Sequence, residues 1–94
     1  MFEKVVKRDG TIDTFNSAKI TEALCRAGAA TKEFDREIAE KMTLRVVNIA
    51  HQVIKGIPSV EDIQDIVEEV LLTSPYRKTA KAYIIYREQH ANLR

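Results

Sequence analysis

Ile38, Met42, Val46, Ile49 and Val53 recur at intervals of 4, 4, 3 and 4. That spacing sets five apolar side chains on one stripe of an α-helix. A stripe of this length has to be buried against other elements, which commits the chain to a packed helical architecture. Two further stripes have the same period. Ile20, Ala23, Leu24 and Ala27 form one; Ile63, Ile66, Val67, Val70 and Leu71 form the other. The pattern predicts helices over residues 17–30, 35–55 and 60–73. Asn16 or Ser17 caps the first, and Gly28 weakens its end. Gly56 is placed as the C′ residue of the second. Ser59 and Asp62 form a capping box that opens the third. After Thr73, Ser74 caps a fourth helix with Pro75 at its first position. That helix carries Tyr76, Ala80, Tyr83, Ile84 and Arg87 on one side and runs without a stop signal to Arg94.

Ahead of the helices, residues 2–8 and 11–15 flank Asp9-Gly10. Asp-Gly between β-prone runs predicts a hairpin with a two-residue type I′ turn. This register pairs Arg8 with Thr11, Lys7 with Ile12 and Val6 with Asp13. A lone hairpin is marginal in water, so it must dock on the helices. Ile57-Pro58 forces an extended link where a third short strand could lie. The class is α+β, mostly helical: a hairpin or three-stranded lid over four helices.

With 94 residues there is room for one domain. The longest apolar runs fall far short of the roughly 18–20 residues that span a bilayer. The N-terminus lacks an apolar core of signal-peptide length, and the single cysteine, Cys25, cannot close an internal disulfide. Both point to a cytoplasmic protein. The net charge of +1 gives no global bias toward nucleic acid, yet residues 59–73 hold Glu61, Asp62, Asp65, Glu68 and Glu69 with no base. Residues 74–94 hold Arg77, Lys78, Lys81, Arg87 and Arg94 against Glu88. Segments of opposite sign read as antiparallel neighbours, as faces for different partners, or as solvated helix faces.

No pattern for metal, P-loop or triad chemistry is present. His51 and His90 fall on different helices and read as partly solvated; Cys25 reads as a small core residue. The hairpin tip is more informative. Lys7 and Arg8 precede the turn, and Lys19 lies in the first turn of the next helix, whose free N–H groups favour anions. These cations match a nucleoside triphosphate, or serve as the charged edge that keeps a hairpin soluble.

The segment VVKRDGTIDTFNSAKI, followed by IPSVEDIQDIVEEVL and YRKTAKAYIIYREQHANLR, resembles the ATP-cone domain over Lys4 to Arg94. ATP-cones are nucleotide-binding regulatory modules, found mainly at the N-terminus of ribonucleotide reductases. The closing block looks most like the anaerobic reductases, and somewhat like the cobalamin-dependent ones. The resemblance implies a four-helix bundle under a β-lid, with the nucleotide between them. It implies phosphate contacts for Lys7, Arg8 and Lys19, and places Asp13 and Asn16 near base or sugar. Val60 and Gln64 match positions on the adenine side; Lys81, Tyr86 and Gln89 are weaker candidates. The implied ligands are ATP and dATP, with magnesium accompanying the phosphates, and no catalytic residue. The implied role is allosteric control of a reductase, with residues 1–94 as one regulatory domain in the N-terminal part of a longer protein. Its expected partners are the catalytic domain and other copies of itself, with no membrane and no nucleic acid. The alternative is the cone of a nucleotide-responsive transcriptional repressor, or another nucleic-acid-binding helical module. The zinc-ribbon cysteines that precede the repressor's cone are not found ahead of residue 4.

Overall fold

The computed structural model describes residues 2–91. The side chains of His90 and Ala91, and residues 92–94, to which the sequence pattern extends the last helix, lie outside the described residues. The order is β1 (Lys4–Val6), β2 (Ile12–Thr14), α1 (Ser17–Thr31), α2 (Arg36–Val53), α3 (Val60–Leu72) and α4 (Arg77–Ala91). Each helix packs on the next, and α4 returns to α1, closing a four-helix bundle. The hairpin covers one end of it.

The hairpin turns at Asp9-Gly10, but its register differs by one residue from the two-residue-turn expectation. Lys4 faces Thr14, Val5 faces Asp13 and Val6 faces Ile12. The Gly10 N–H donates to the Lys7 carbonyl at 2.9 Å, and the Lys7 N–H donates to the Thr11 carbonyl at 2.8 Å. The loop is therefore three residues, Arg8-Asp9-Gly10, with Gly10 at φ +88° as the left-handed residue that closes such loops. Asp9 decides for this loop. Its carboxylate accepts from the Thr11 hydroxyl at 2.7 Å and the Thr11 N–H at 3.0 Å. Those bonds, with Lys7 nearby, hold the Asp9 carboxyl below its ordinary pKa. A one-residue shift exchanges the faces of the strands. Val5 and Lys7 now share a face with Asp13, and Val5, Lys7 and Phe15 face the helices.

The third strand is reduced to a single parallel bridge between Val6 and Ser59. Pro58 has no N–H to give, so only its carbonyl is used, accepting from the Val6 N–H at 2.9 Å. Ser59 then caps α3 in a complete capping box with Asp62, leaving no length for a strand.

Helix α2 stops at Val53, capped by extended Ile54, so Gly56 is not its C′ residue. Gly56 instead takes φ +82° in the bend that leads to Pro58. The buried seam of α2 is also rotated from the apolar stripe: it runs through Ala39, Met42, Thr43, Val46, Val47 and Ala50, while Val53 is 64% exposed. Small residues let the neighbouring helices approach on both sides. Thr43 enters the core because its hydroxyl is satisfied, donating to the Ala39 carbonyl and meeting the Thr21 hydroxyl at 2.7 Å. The stripe of α3 is buried throughout. The charged segments meet as antiparallel neighbours across α3 and α4, where the Arg87 guanidinium lies 3.0 Å from Asp65 and 3.1 Å from Glu68. Burial pushes the Arg87 pKa down, but these two carboxylates hold it above its ordinary value.

Helix α4 begins two residues later than Pro75 predicts, because its cap comes from elsewhere in the chain. Glu33, between α1 and α2, accepts from the Thr79 N–H at 2.6 Å, the Thr79 hydroxyl at 2.7 Å and the Lys78 N–H at 3.3 Å. A carboxylate there satisfies free donors and complements the helix dipole. Partial desolvation pushes the Glu33 pKa up, but the bonds from Thr79 and Lys78 outweigh it and the net shift is downward. A depressed carboxylate pKa contributes stability that is present above the unfolded-state value and is lost as pH falls through the folded-state value. Glu33→Gln is therefore expected to lower the melting temperature at neutral pH, with the difference from the parent shrinking in acid. Thermal denaturation across pH checks both.

Candidate functional site

A cleft of about 200 Å³ opens between the hairpin and the helices. Val5 and Phe15 roof it from the hairpin side, Ile20 and Ala23 wall it from α1, and Ile63 and Val67 wall it from α3. Tyr83 contributes from α4. The polar side chains in this apolar setting are few: Lys7, Thr14, Asn16, Lys19, Gln64 and Tyr83. A mostly apolar concavity with a few polar groups is the general form of a small-molecule site.

Two helices begin at this cleft. Asn16 caps α1, its carbonyl oxygen accepting from the Ala18 N–H at 3.0 Å. Ser59 caps α3. The helices differ in how they treat the positive end of the dipole. The first turn of α3 holds Glu61 and Asp62, as the dipole favours. The first turn of α1 has no acid and places Lys19 there instead. Among the described residues Lys19 makes no ion pair. Lys7, the second cation lining the cleft, is half exposed and stands 4.0 Å from Asp13. The lining of the cleft therefore includes two lysines and the N-terminus of α1, with one loosely held carboxylate near Lys7.

Arg8 lies on the hairpin tip and reaches α3. It donates to Gln64 Oε1 at 2.8 Å and lies 3.7 Å from Glu61. Arg8 thus ties the lid to the bundle at the rim of the cleft. Its other side faces a shallow depression with Glu68, Ile84 and Arg87.

Of the residues singled out in the sequence, Lys7, Asn16, Lys19, Val60 and Gln64 line one cleft, and Arg8 meets it through Gln64. Asp13 stands behind Lys7 rather than in the lining. Lys81 borders a different hollow, with Leu71, Leu72 and Ala80. Tyr86 is 48% exposed with its ring 6.3 Å from that of Tyr83, and Gln89 is exposed. Sequence reasoning missed Phe15 and Tyr83 as cleft residues. Tyr83 sits on the buried side of α4, where its stripe position reads equally as core.

Among the described residues no helix is long and apolar enough to cross a membrane, and no group of three or more His, Cys, Asp or Glu could hold a metal.

The family model for the ATP cone domain matches residues 3–92. The chain is 42% identical to a vitamin B12-dependent ribonucleoside-diphosphate reductase of Thermoplasma acidophilum, aligned over all of this chain and 13% of the relative. It is 35% identical to a ribonucleoside-diphosphate reductase subunit alpha of Chlamydia trachomatis, over 96% of this chain and 10% of the relative. It is also 35% identical to an anaerobic ribonucleoside-triphosphate reductase of Escherichia coli, over 93% of this chain and 12% of the relative. The chain thus spans about an eighth of the length of such proteins.

Proposed function

The chain belongs to the ATP-cone domain family, and from that premise we propose that it is a regulatory module that binds ATP and dATP and controls a ribonucleotide reductase. The observation that carries this reading is the pair of lysines, Lys7 and Lys19, lining an apolar cleft at the start of α1. A lysine in the first turn of a helix opposes the dipole and costs local stability. Here Lys19 does so beside Lys7, at the edge of an apolar cleft. An anion joined to an apolar ring relieves the repulsion and fills the cleft at once, and an adenine nucleotide is such a molecule. At about 200 Å³ the cleft is smaller than the roughly 300–1,000 Å³ that encloses a whole drug-sized ligand. It suits a nucleoside, leaving the triphosphate to Lys7, Lys19 and Arg8. Asn16, and Asp13 from beside Lys7, would serve the base or sugar, with Val60 and Gln64 at the start of α3 on the adenine side. Magnesium would be held by the phosphates rather than by this chain.

In this proposal residues 1–94 form one regulatory domain in the N-terminal part of a longer protein, with the chemistry in the catalytic part. ATP and dATP carry the same phosphates and differ by one 2′-hydroxyl. To switch activity they must have different relative affinities for two arrangements of the parent, because equal affinity for both shifts nothing. The test is turnover of the parent reductase with and without these residues. The proposal expects dATP inhibition to disappear on removal while basal turnover remains. Inhibition that persists in the shortened enzyme contradicts it.

A further inference from the structure

Tyr83 is buried with an open polar end. It is 6% exposed, packs in the hydrophobic core and lines the cleft. Among the described residues its hydroxyl has no hydrogen-bond partner; its ring meets that of Tyr86, and the charges of Arg87, Glu68 and Arg8 lie near the phenol. No sealed side-chain oxygen or nitrogen among them lacks a partner. The Tyr83 oxygen is therefore not sealed, and Tyr83 belongs to the lining of the cleft and not to that of the depression beside Arg8, Glu68 and Arg87. Buried tyrosines ordinarily satisfy the hydroxyl within the protein, because an unmade hydrogen bond there is costly. A phenylalanine would fill the same core position without that cost.

We propose that Tyr83 is a ligand-contacting residue, its hydroxyl hydrogen-bonding the uncharged nucleoside part of the nucleotide. The inference rests on the nucleotide reading above and extends it to a residue on α4. Lys7 and Lys19 serve the phosphates from the hairpin and α1, whereas Tyr83 stands with Ile63 and Val67 in the apolar wall. Burial pushes the phenol's pKa up to about 12, more than Arg87 and Arg8 pull it down. It stays neutral, able both to donate and to accept, which matches a sugar hydroxyl or a ring nitrogen. Gln64 completes this wall. Its Oε1 is engaged by Arg8, leaving its amide N–H₂ group for the same part of the ligand.

Tyr83→Phe keeps the ring and removes only the oxygen. Calorimetry of the parent chain and the variant with ATP and with tripolyphosphate tests the assignment. One neutral hydrogen bond corresponds to a roughly two- to tenfold loss of ATP affinity. Tripolyphosphate affinity is expected to stay the same, and the melting temperature not to fall, because no internal hydrogen bond is lost. Equal ATP affinity in parent and variant overturns the assignment, as does an equal loss for both ligands. A parent chain that binds neither ligand overturns the nucleotide reading, and this inference with it.

Discussion

Replacing Lys19 with alanine should weaken ATP and dATP alike by roughly ten- to a hundredfold, while leaving the fold as stable as before or more so. The loss follows from removing one charge-assisted bond to phosphate, about 1.5–3 kcal/mol where the group is partly desolvated. The two nucleotides suffer equally because their phosphates are the same. The gain in stability follows from the position of Lys19 in the first turn of α1, where no acid offsets the dipole. Relieving that conflict contributes about 0.3–1 kcal/mol. Lys19→Glu should move both quantities further in the same directions. Lys7→Ala should have a smaller effect on binding, because Lys7 already stands near Asp13, whereas Lys19 makes no ion pair among the described residues. Nucleotide titration and thermal melting on the same samples check the pairing of gain and loss. A Lys19→Ala chain that binds ATP normally would make this lysine an ordinary solvated charge.

The largest stability effect at a single small position is expected at Gly28. A Cβ there would lie 2.5 Å from the Phe34 ring, closer than any real side-chain contact. The ring has little room to retreat, since it also meets Tyr76 edge-on at a centroid distance of 4.8 Å. Inserting a methyl group into such a contact costs about 1–3 kcal/mol. Alanine's better helix propensity returns up to about 1 kcal/mol. Gly28→Ala should therefore destabilise, against the usual direction of glycine-to-alanine changes inside helices. In a Phe34→Leu background the penalty should fall well below the sum of the single effects, because the two changes act on one contact. Chemical denaturation of the four proteins checks this; a stabilised Gly28→Ala would show that the ring moves aside freely.

Gly28 also shows where a linear reading stops. In sequence it is a weak residue near the end of a helix; in space it is the seat of an aromatic ring from the next loop. The elements themselves were legible because their signals are local. Stripes of period 3.6, the Ser59–Asp62 box and the Asp-Gly turn act over a few residues. The hairpin register was not legible, because Asp-Gly supports both two- and three-residue loops. The choice falls to the Asp9–Thr11 hydrogen bonds and to the face that can bury Val5 and Phe15. Nor was the start of α4, since Glu33 caps it from 46 residues away. The seam of α2 shifted because Thr43 finds a hydroxyl partner on another helix, which no apolar count anticipates. In the site, Lys7, Asn16 and Lys19 lie within one strand–turn–strand–helix unit, so their convergence needs only local geometry. Tyr83 joins them across the bundle, and its position in a buried stripe conceals that it also faces the cleft.

Calorimetric titration of the chain with ATP, dATP and GTP tests the central claim most directly, that the cleft under the hairpin is an adenine-nucleotide site. The account predicts saturable binding of ATP and dATP and distinctly weaker binding of GTP, since all three share their phosphates and GTP differs from ATP only in the base. Absence of binding by both adenine nucleotides, or GTP binding as tight as ATP, would contradict it.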